Sequence, residues 1–195
     1  ILVLRNDVRN QFSPTPNPVP APSPAPIAQQ TPPPAPQPQT LDTSDWQTYV
    51  NEKYKYSVQY PAGWKIGDVF TPSSPSGVKF TKISMERCGE YHDYASVSII
   101  IDERTQEGMS MSMKEWYLGS IRSLGLGVDI NAYRFKETTF LGYNGVIVND
   151  EILVFAKDTN VFIIQRSAHG NCDDEFVKYA EQGYSQILST FRFVE

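Results

Sequence analysis

Apolar and polar side chains alternate from Tyr54 to Tyr60, which is the period of a strand half buried against a core. The proline and glycine within 61–63 end this strand. Trp46–Val50 shows a similar pattern, and the polar residues Asn51–Lys53 separate it from the strand that ends at Tyr60. The pattern therefore predicts a β-hairpin at the point where aromatic residues first become frequent.

The same patterns predict further strands at Val78–Met85, Ala95–Asp102, Tyr133–Leu141, Gly145–Ala156 and Val161–Ser167. A phase slip between Phe80 and Ile83 indicates a β-bulge in the first of these. The last two are almost continuously apolar, which is typical of strands covered on both faces. A turn at Lys157–Asn160 is expected to join them.

Two segments show helical spacing instead. Apolar residues recur every three or four positions over Met113–Leu124, and Gly125 is expected to end that helix. The acidic run Asp173–Glu175 favours a second helix start, and an apolar stripe follows at Phe176, Tyr179, Ala180, Tyr184, Ile187 and Leu188. The order of strands, helix, strands and helix predicts an α+β fold, an α/β/α sandwich with a central, mainly antiparallel sheet.

The prolines divide the chain into two parts. Twelve of the 15 prolines lie between Pro14 and Pro38, and residues 13–40 contain no charged and no aromatic side chain. Such a segment cannot bury enough apolar area to offset the entropy of ordering it. We predict a disordered N-terminal segment and proline-rich stalk at 1–42, followed by one folded domain at 43–195. Proline density favours an extended spacer.

The formal net charge of −5 makes nucleic acid an unfavourable partner. The chain opens with the apolar residues Ile1–Leu4, which are too few to cross a bilayer. We therefore expect any membrane contact to come from an upstream anchor absent from this chain. A long stalk suits an extracytoplasmic setting, at the cell surface or in a periplasm.

The two ends of the predicted domain carry a resemblance. Thr48–Trp64 (TYVNEKYKYSVQYPAGW) and Gln186–Val194 (QILSTFRFV) are similar to the opening and closing motifs of bacterial PsbP-like domains, over about residues 44–195. The resemblance implies the Mog1/PsbP-like sandwich and a secreted or lipid-anchored protein that acts as a binding or assembly module without catalytic residues. This chain differs from the photosynthetic members of the family by its long proline-rich stalk, so the resemblance does not imply a photosystem role.

The only two cysteines and two histidines occupy the short windows Cys88–His92 and His169–Cys172. In an oxidising compartment Cys88 and Cys172 would form a disulfide. If the thiols stay reduced, the four side chains could hold zinc. In a mixed case, the disulfide brings His92 and His169 together with Asp93 or Asp173 as a weak surface metal site. Two unrelated pairs on loops are the simplest alternative, and the residues alone leave all four open.

Two other sets of residues are weaker candidates for a functional site. Ser167, His169 and Asp173 lie too close in sequence to supply nucleophile, base and orienting acid in the correct geometry. The methionines at 109, 111 and 113 could offer soft ligands to Cu(I), but they precede a helix, where methionine commonly fills gaps against a sheet.

Two functional hypotheses follow from these patterns. The first is a non-catalytic extracytoplasmic binding or assembly domain on a proline-rich stalk, whose partner is an unknown protein or small ligand. It implies no enzyme activity and no cofactor. The alternative is an extracytoplasmic metal-binding protein that holds a divalent ion through His92 and His169.

Overall fold

The computed structural model describes residues 44–69, 76–88, 90–125, 127, 129–170 and 175–195. The predicted stalk at 1–42 lies outside these residues. The strands are β1 (Gln47–Asn51), β2 (Tyr56–Tyr60), β3 (Lys65–Asp68), β4 (Ser76–Cys88), β5 (Tyr91–Glu103), β6 (Phe135–Phe140), β7 (Tyr143–Val148), β8 (Ile152–Lys157), β9 (Asn160–His169) and β10 (Arg192–Phe193). The helices are α1 (Met113–Ser123) and α2 (Glu175–Thr190).

The strands form two sheets in which the paired strands run antiparallel. Seven strands lie in the order β3-β4-β5-β9-β8-β7-β6, and β1, β2 and β10 make a separate sheet of three. The predicted α+β class with a mainly antiparallel sheet is confirmed. The prediction of one sheet missed the separation of the first hairpin, because alternation in a strand does not specify its partner.

The large sheet packs on both faces. Alternate residues of β8 separate the two sides, since Leu153 and Phe155 belong to one core and Val154 to the other. The first core includes residues of α2 and of the three-stranded sheet, among them Tyr56, Val58, Phe176, Ala180 and Ile187. The second includes Met113 and Tyr117 of α1. The two helices therefore cover opposite faces of the large sheet.

The predicted strand Gly145–Ala156 is wrong as a single element. It consists of β7 and β8, joined at Asn149 and Asp150, whose φ angles are 51° and 61°. Asparagine and aspartate tolerate this left-handed region better than other non-glycine residues. The two polar residues were a turn signal, and the apolar runs on each side of them obscured it.

The end of β4 also differs from the prediction. Its pairing with β5 shifts register between Ile83 and Arg87, later than the predicted bulge between Phe80 and Ile83. Cys88 lies beyond the predicted strand Val78–Met85, but it is the last residue of β4 and pairs with Tyr91 through the backbone.

Helix α1 matches the expected segment closely. Ser112 caps its first turn, accepting a hydrogen bond from the backbone nitrogen of Glu115, and Gly125 just beyond its end has a φ of 64°. These signals at both ends explain why its bounds could be predicted. Within the described part of the chain, neither helix has the length and apolar character needed to span a bilayer.

Candidate functional site

An open groove of about 680 Å³ lies beside the first turn of α1. The lining comes from four separated parts of the chain: Arg104, the start of α1, the β6–β7 hairpin and the end of β8. The lining residues are Arg104, Met111, Ser112, Met113, Lys114, Glu137, Thr138, Thr139, Asn144, Gly145, Val146 and Ala156. We call this feature the α1 groove.

Arg104 is fixed to the turn between β8 and β9. Its backbone nitrogen donates to the carbonyl of Thr159 at 2.7 Å, and Nη2 of its guanidinium donates to the carbonyl of Asp158, also at 2.7 Å. The Nε atom is buried and makes no hydrogen bond to any residue that the structure describes. A buried donor without a partner is uncommon, because it has lost its water without replacing it.

Lys114 supplies the second cation of the α1 groove. Its side chain is exposed, and Nζ lies 5.4 Å from the centre of the Phe135 ring. At this distance the ring attracts the ammonium group and favours conformers near β6. The neighbouring Ser112 and Glu115 form a capping box, in which hydrogen bonds from Ser112 hold the pKa of the Glu115 carboxyl below its ordinary value.

The remaining lining combines an apolar floor with polar walls. Val146 is buried and Ala156 half-buried, whereas Glu137, Thr139 and Asn144 are exposed. Two cations and one carboxylate give the lining a formal charge of +1, opposite in sign to the chain's −5. The α1 groove therefore offers several hydrogen-bond donors next to apolar surface, which suits binding of a ligand with both characters.

Sequence reasoning missed most of the α1 groove. Of the candidates named from the sequence, only Met111 and Met113 line it, and Met113 is buried against the sheet as gap-filling methionines are. Arg104 and Lys114 stand in separate segments with no shared motif. They share one lining only because α1 packs on β7 and β8 while Arg104 bonds to the turn that follows β8, which no local pattern indicates.

The two candidate histidines lie on the other half of the same sheet face. Tyr94 of β5 pairs with His169 of β9, and His92 stands two residues before Tyr94, so both histidines project from one face of neighbouring strands. His92 and His169 are therefore diagonal neighbours on adjacent strands. In a regular antiparallel pair, the Cα atoms of such neighbours lie about 7–8 Å apart. The tyrosine and imidazole rings stack, with 6.0 Å between their centres and 20° between their planes.

Other polar groups surround this stacked pair. The Tyr94 hydroxyl lies 3.4 Å from Oγ of Ser167, and Nζ of Lys79 lies 5.6 Å from the centre of the Tyr94 ring. Ser167 thus contacts a tyrosine of the next strand, while Asp173, the third member of the weak triad, lies outside the described residues.

The structure describes only one of the two cysteines of the predicted disulfide. Cys172 lies outside the described residues, so the Cys88–Cys172 disulfide stays a prediction. Among the residues that are described, His, Cys, Asp and Glu side chains form no cluster of three or more that could hold a metal ion. His92 and His169 are thus a pair without a third described ligand of these types.

A smaller aromatic pocket of about 190 Å³ lies on the opposite face, where Trp46, Trp64 and Tyr179 meet. Nζ of Lys82 lies 3.7 Å from the centre of the Tyr179 ring. Trp64, which ends the Tyr-Pro-x-x-Trp motif, packs here against Gly183 of α2. That motif therefore has a structural role in joining the two ends of the domain.

Comparisons with known proteins bear on the fold. No protein-family model matches the chain. No curated protein matches its sequence. Its structure matches the solution structure of cyanobacterial PsbP (CyanoP) from Synechocystis sp. PCC 6803, with 16% identity, a TM-score of 0.44, and coverage of 76% of this chain and 92% of that one. At 16% identity the similarity concerns the fold alone.

A second match is a crystal structure from Bacteroides thetaiotaomicron VPI-5482. The identity is 9% and the TM-score 0.39, and the match covers 77% of this chain but only 49% of the other. The chain thus spans about half the length of that protein.

Proposed function

We propose that the protein is a non-catalytic binding domain that acts outside the cytoplasm and takes its ligand or partner in the α1 groove. The domain is an α/β/α sandwich of the Mog1/PsbP-like kind, and the proline-rich segment serves as a stalk that keeps it away from an anchor. The single observation that carries the proposal is the groove itself, about 680 Å³ in volume and lined by both charged and apolar residues.

The volume of the α1 groove falls within the range of about 300–1,000 Å³ that small-molecule sites occupy. Its polar groups stand on rigid supports, since Arg104 is bonded to a turn and Lys114 lies in the first turn of a capped helix. Preformed sites of this kind bind with little ordering cost. The motif resemblance to binding and assembly modules supports the same function.

Site-directed photo-cross-linking in the organism that makes the protein tests this proposal. A photoreactive amino acid replaces Thr139, an exposed wall residue of the α1 groove, and in a matched strain it replaces Lys178, an exposed residue of α2 on the opposite side of the sheet. Mass spectrometry of the purified adducts identifies either a small ligand or a protein. We expect a defined adduct from position 139 alone. Equal or absent labelling at the two positions would contradict a groove-bound ligand.

Metal binding by His92 and His169 is the second candidate, and the observation that favours it is their diagonal placement on one sheet face. Two imidazoles with water ligands could hold a divalent ion weakly. Calorimetric titration of the full chain with Zn²⁺ tests it. Substitution of either histidine by alanine should abolish one site, and an unchanged isotherm in both variants would exclude this pair as ligands.

A further inference from the structure

We infer that the α1 groove binds an organic ligand through a carboxylate group, with Arg104 and Lys114 holding the carboxylate and the apolar floor receiving the rest of the molecule. This inference rests on the proposed function, because it names the class of ligand for the same site. It draws on the position of the two cations, the restrained guanidinium of Arg104 and the composition of the floor.

The guanidinium of Arg104 has five N–H donors in a fixed plane. The hydrogen bond from its Nη2 to the carbonyl of Asp158 restrains that plane against the β8–β9 turn. The cation is therefore held in place before any ligand arrives.

The Nε–H of Arg104 is buried and closed to a ligand, so the donors that can face the α1 groove are those on the terminal nitrogens Nη1 and Nη2. One Nη2 hydrogen is used by the Asp158 carbonyl, and a ligand can accept from the others. A carboxylate fits this role because its two oxygens match the spacing of neighbouring guanidinium N–H groups. Lys114 lies in the same lining and adds a second positive charge that needs no fixed geometry.

The charge balance favours a carboxylate over a phosphate monoester. Glu137 belongs to the same lining, so the net charge there is +1 and a dianionic group would meet an uncompensated carboxylate. The floor residues Val146 and Ala156, with Met113 beside them, provide apolar contact for an alkyl or aryl body. A carboxylate with an apolar chain satisfies both parts of the surface.

Nuclear magnetic resonance titration of the full, uniformly ¹⁵N-labelled chain tests this inference, with hexanoate as the probe. Hexanol has the same chain without charge, hexylammonium reverses the charge, and methyl phosphate carries a phosphate monoester. We expect saturable amide shifts around Ser112, Thr139 and Asn144 with hexanoate and none with hexylammonium. Tighter binding of methyl phosphate than of hexanoate would overturn the carboxylate assignment.

Three variants locate the charged contact. Arg104→Gln should weaken hexanoate binding by about tenfold or more, because a hydrogen bond to a charged group is lost. Lys114→Gln should weaken it several-fold; this residue is exposed, so the fold is retained even if Arg104→Gln perturbs its turn. Lys65→Gln, on β3 at the far edge of the sheet, is the matched control and should leave the affinity unchanged.

The outcomes separate this inference from the proposed function. Equal hexanoate affinity in wild type, Arg104→Gln and Lys114→Gln would show that neither cation binds the carboxylate, and the inference would be wrong. A defined photo-adduct at position 139 in a protein that gives no hexanoate shifts would overturn the ligand class while the binding function stands.

Discussion

The indole ring of Trp64 lies against the backbone of Gly183, so that a Cβ atom added to this glycine would come within 2.6 Å of Cη2 of the ring. Trp64 follows β2, and Gly183 lies in the middle of α2. Glycine in a helix interior normally lowers stability relative to alanine by about 1 kcal/mol. Here it lets a large aromatic side chain, only 8% exposed, approach the helix axis.

Gly183→Ala should therefore destabilise the domain, against the usual helix preference. We expect the free energy of unfolding in urea to fall by about 1–3 kcal/mol, because the ring must move to admit the methyl group. Gly119→Ala in α1 is the matched control: no atom lies within 4 Å of its added Cβ, and it should gain about 0.5–1 kcal/mol.

The Trp64→Phe background adds a further check on this contact. A smaller ring leaves room for the methyl group, so Gly183→Ala should cost less there than in the wild-type chain. An equal cost in both backgrounds would show that the indole is not the cause.

The contact also shows what the sequence could and could not predict. Tyr-Pro-x-x-Trp and the closing helix were recognised as motifs, but nothing in either segment indicates that Trp64 packs at Gly183. Local signals sufficed for α1, where a serine cap and a glycine mark the ends. They failed for β3, whose four residues are all exposed and carry no apolar alternation.

The α1 groove lay beyond sequence reasoning for a related reason. Periodicity assigns residues to the faces of one strand, whereas Arg104 and Lys114 share a cavity through the order of strands in the sheet. That order arises from packing between segments distant in the chain. The histidine pair was easier to predict, since histidine is rare in the chain and the β5–β9 register brings the two strands side by side.

Two buried tyrosines in β2 should respond differently to loss of their hydroxyl groups. The Tyr60 hydroxyl donates to Oε1 of Gln47 at 2.6 Å. The Tyr56 hydroxyl is buried and has no described partner within hydrogen-bonding distance, and the side chains of Asn51 and Tyr49 act on it only from farther away. Tyr60→Phe should lower the free energy of unfolding by about 1 kcal/mol at pH 7. Tyr56→Phe should lower it less or raise it, because only longer and weaker polar contacts are lost. The reverse order in urea denaturation would contradict this assignment.

The buried Tyr56 side chain predicts how the stability of the domain changes at alkaline pH. Burial raises the pKa of Tyr56 far above its ordinary value, with a smaller contribution from the charge of Tyr49. A raised pKa in the folded state stabilises the protein below about pH 10, and this contribution is lost as the pH rises further. Tyr56→Phe should therefore lose less stability than the wild-type protein between pH 10 and 11.5. Parallel losses in the two proteins would show that other groups govern alkaline unfolding.

The capping box of α1 makes a prediction at acidic pH. The backbone nitrogen and hydroxyl of Ser112 donate to Oε2 of Glu115 at 3.0 and 2.9 Å, and these bonds lower the pKa of that carboxyl. The stabilisation is present above the ordinary glutamate pKa and is lost as the pH falls through the lowered folded value. In a carbon-detected titration, Ser112→Ala should bring the Glu115 pKa back towards its ordinary value.

Ser123→Ala, at the other end of the same helix, is the control for that titration and should leave the Glu115 pKa unchanged. The Ser112 variant should also lose about 1 kcal/mol of stability through the missing cap. The backbone N–H at position 112, the larger cause of the shift, remains in Ser112→Ala, so the pKa should rise only part of the way. A Glu115 pKa that does not rise at all would show that the hydroxyl contributes nothing.

The disulfide between Cys88 and Cys172 stays the sharpest prediction from the sequence. Strands β4 and β9 lie on either side of β5. Strand β4 ends at Cys88, and β9 ends at His169, the first residue of the window that contains Cys172. A bridge would enclose 83 intervening residues and stabilise the domain by roughly 4 kcal/mol in the chain-entropy account. Reduction, Cys88→Ser and Cys172→Ser should then each lower the free energy of unfolding by a similar amount.

Alkylation decides between the bridge and a zinc site. Treating the unfolded, unreduced protein with iodoacetamide should leave both cysteine peptides unmodified, because a disulfide sulfur does not react as a thiolate. Two alkylated cysteines would exclude the disulfide. Zinc bound to the native, unalkylated protein, and lost in His92→Ala or His169→Ala, would instead assign the four side chains to a metal site that needs reduced thiols.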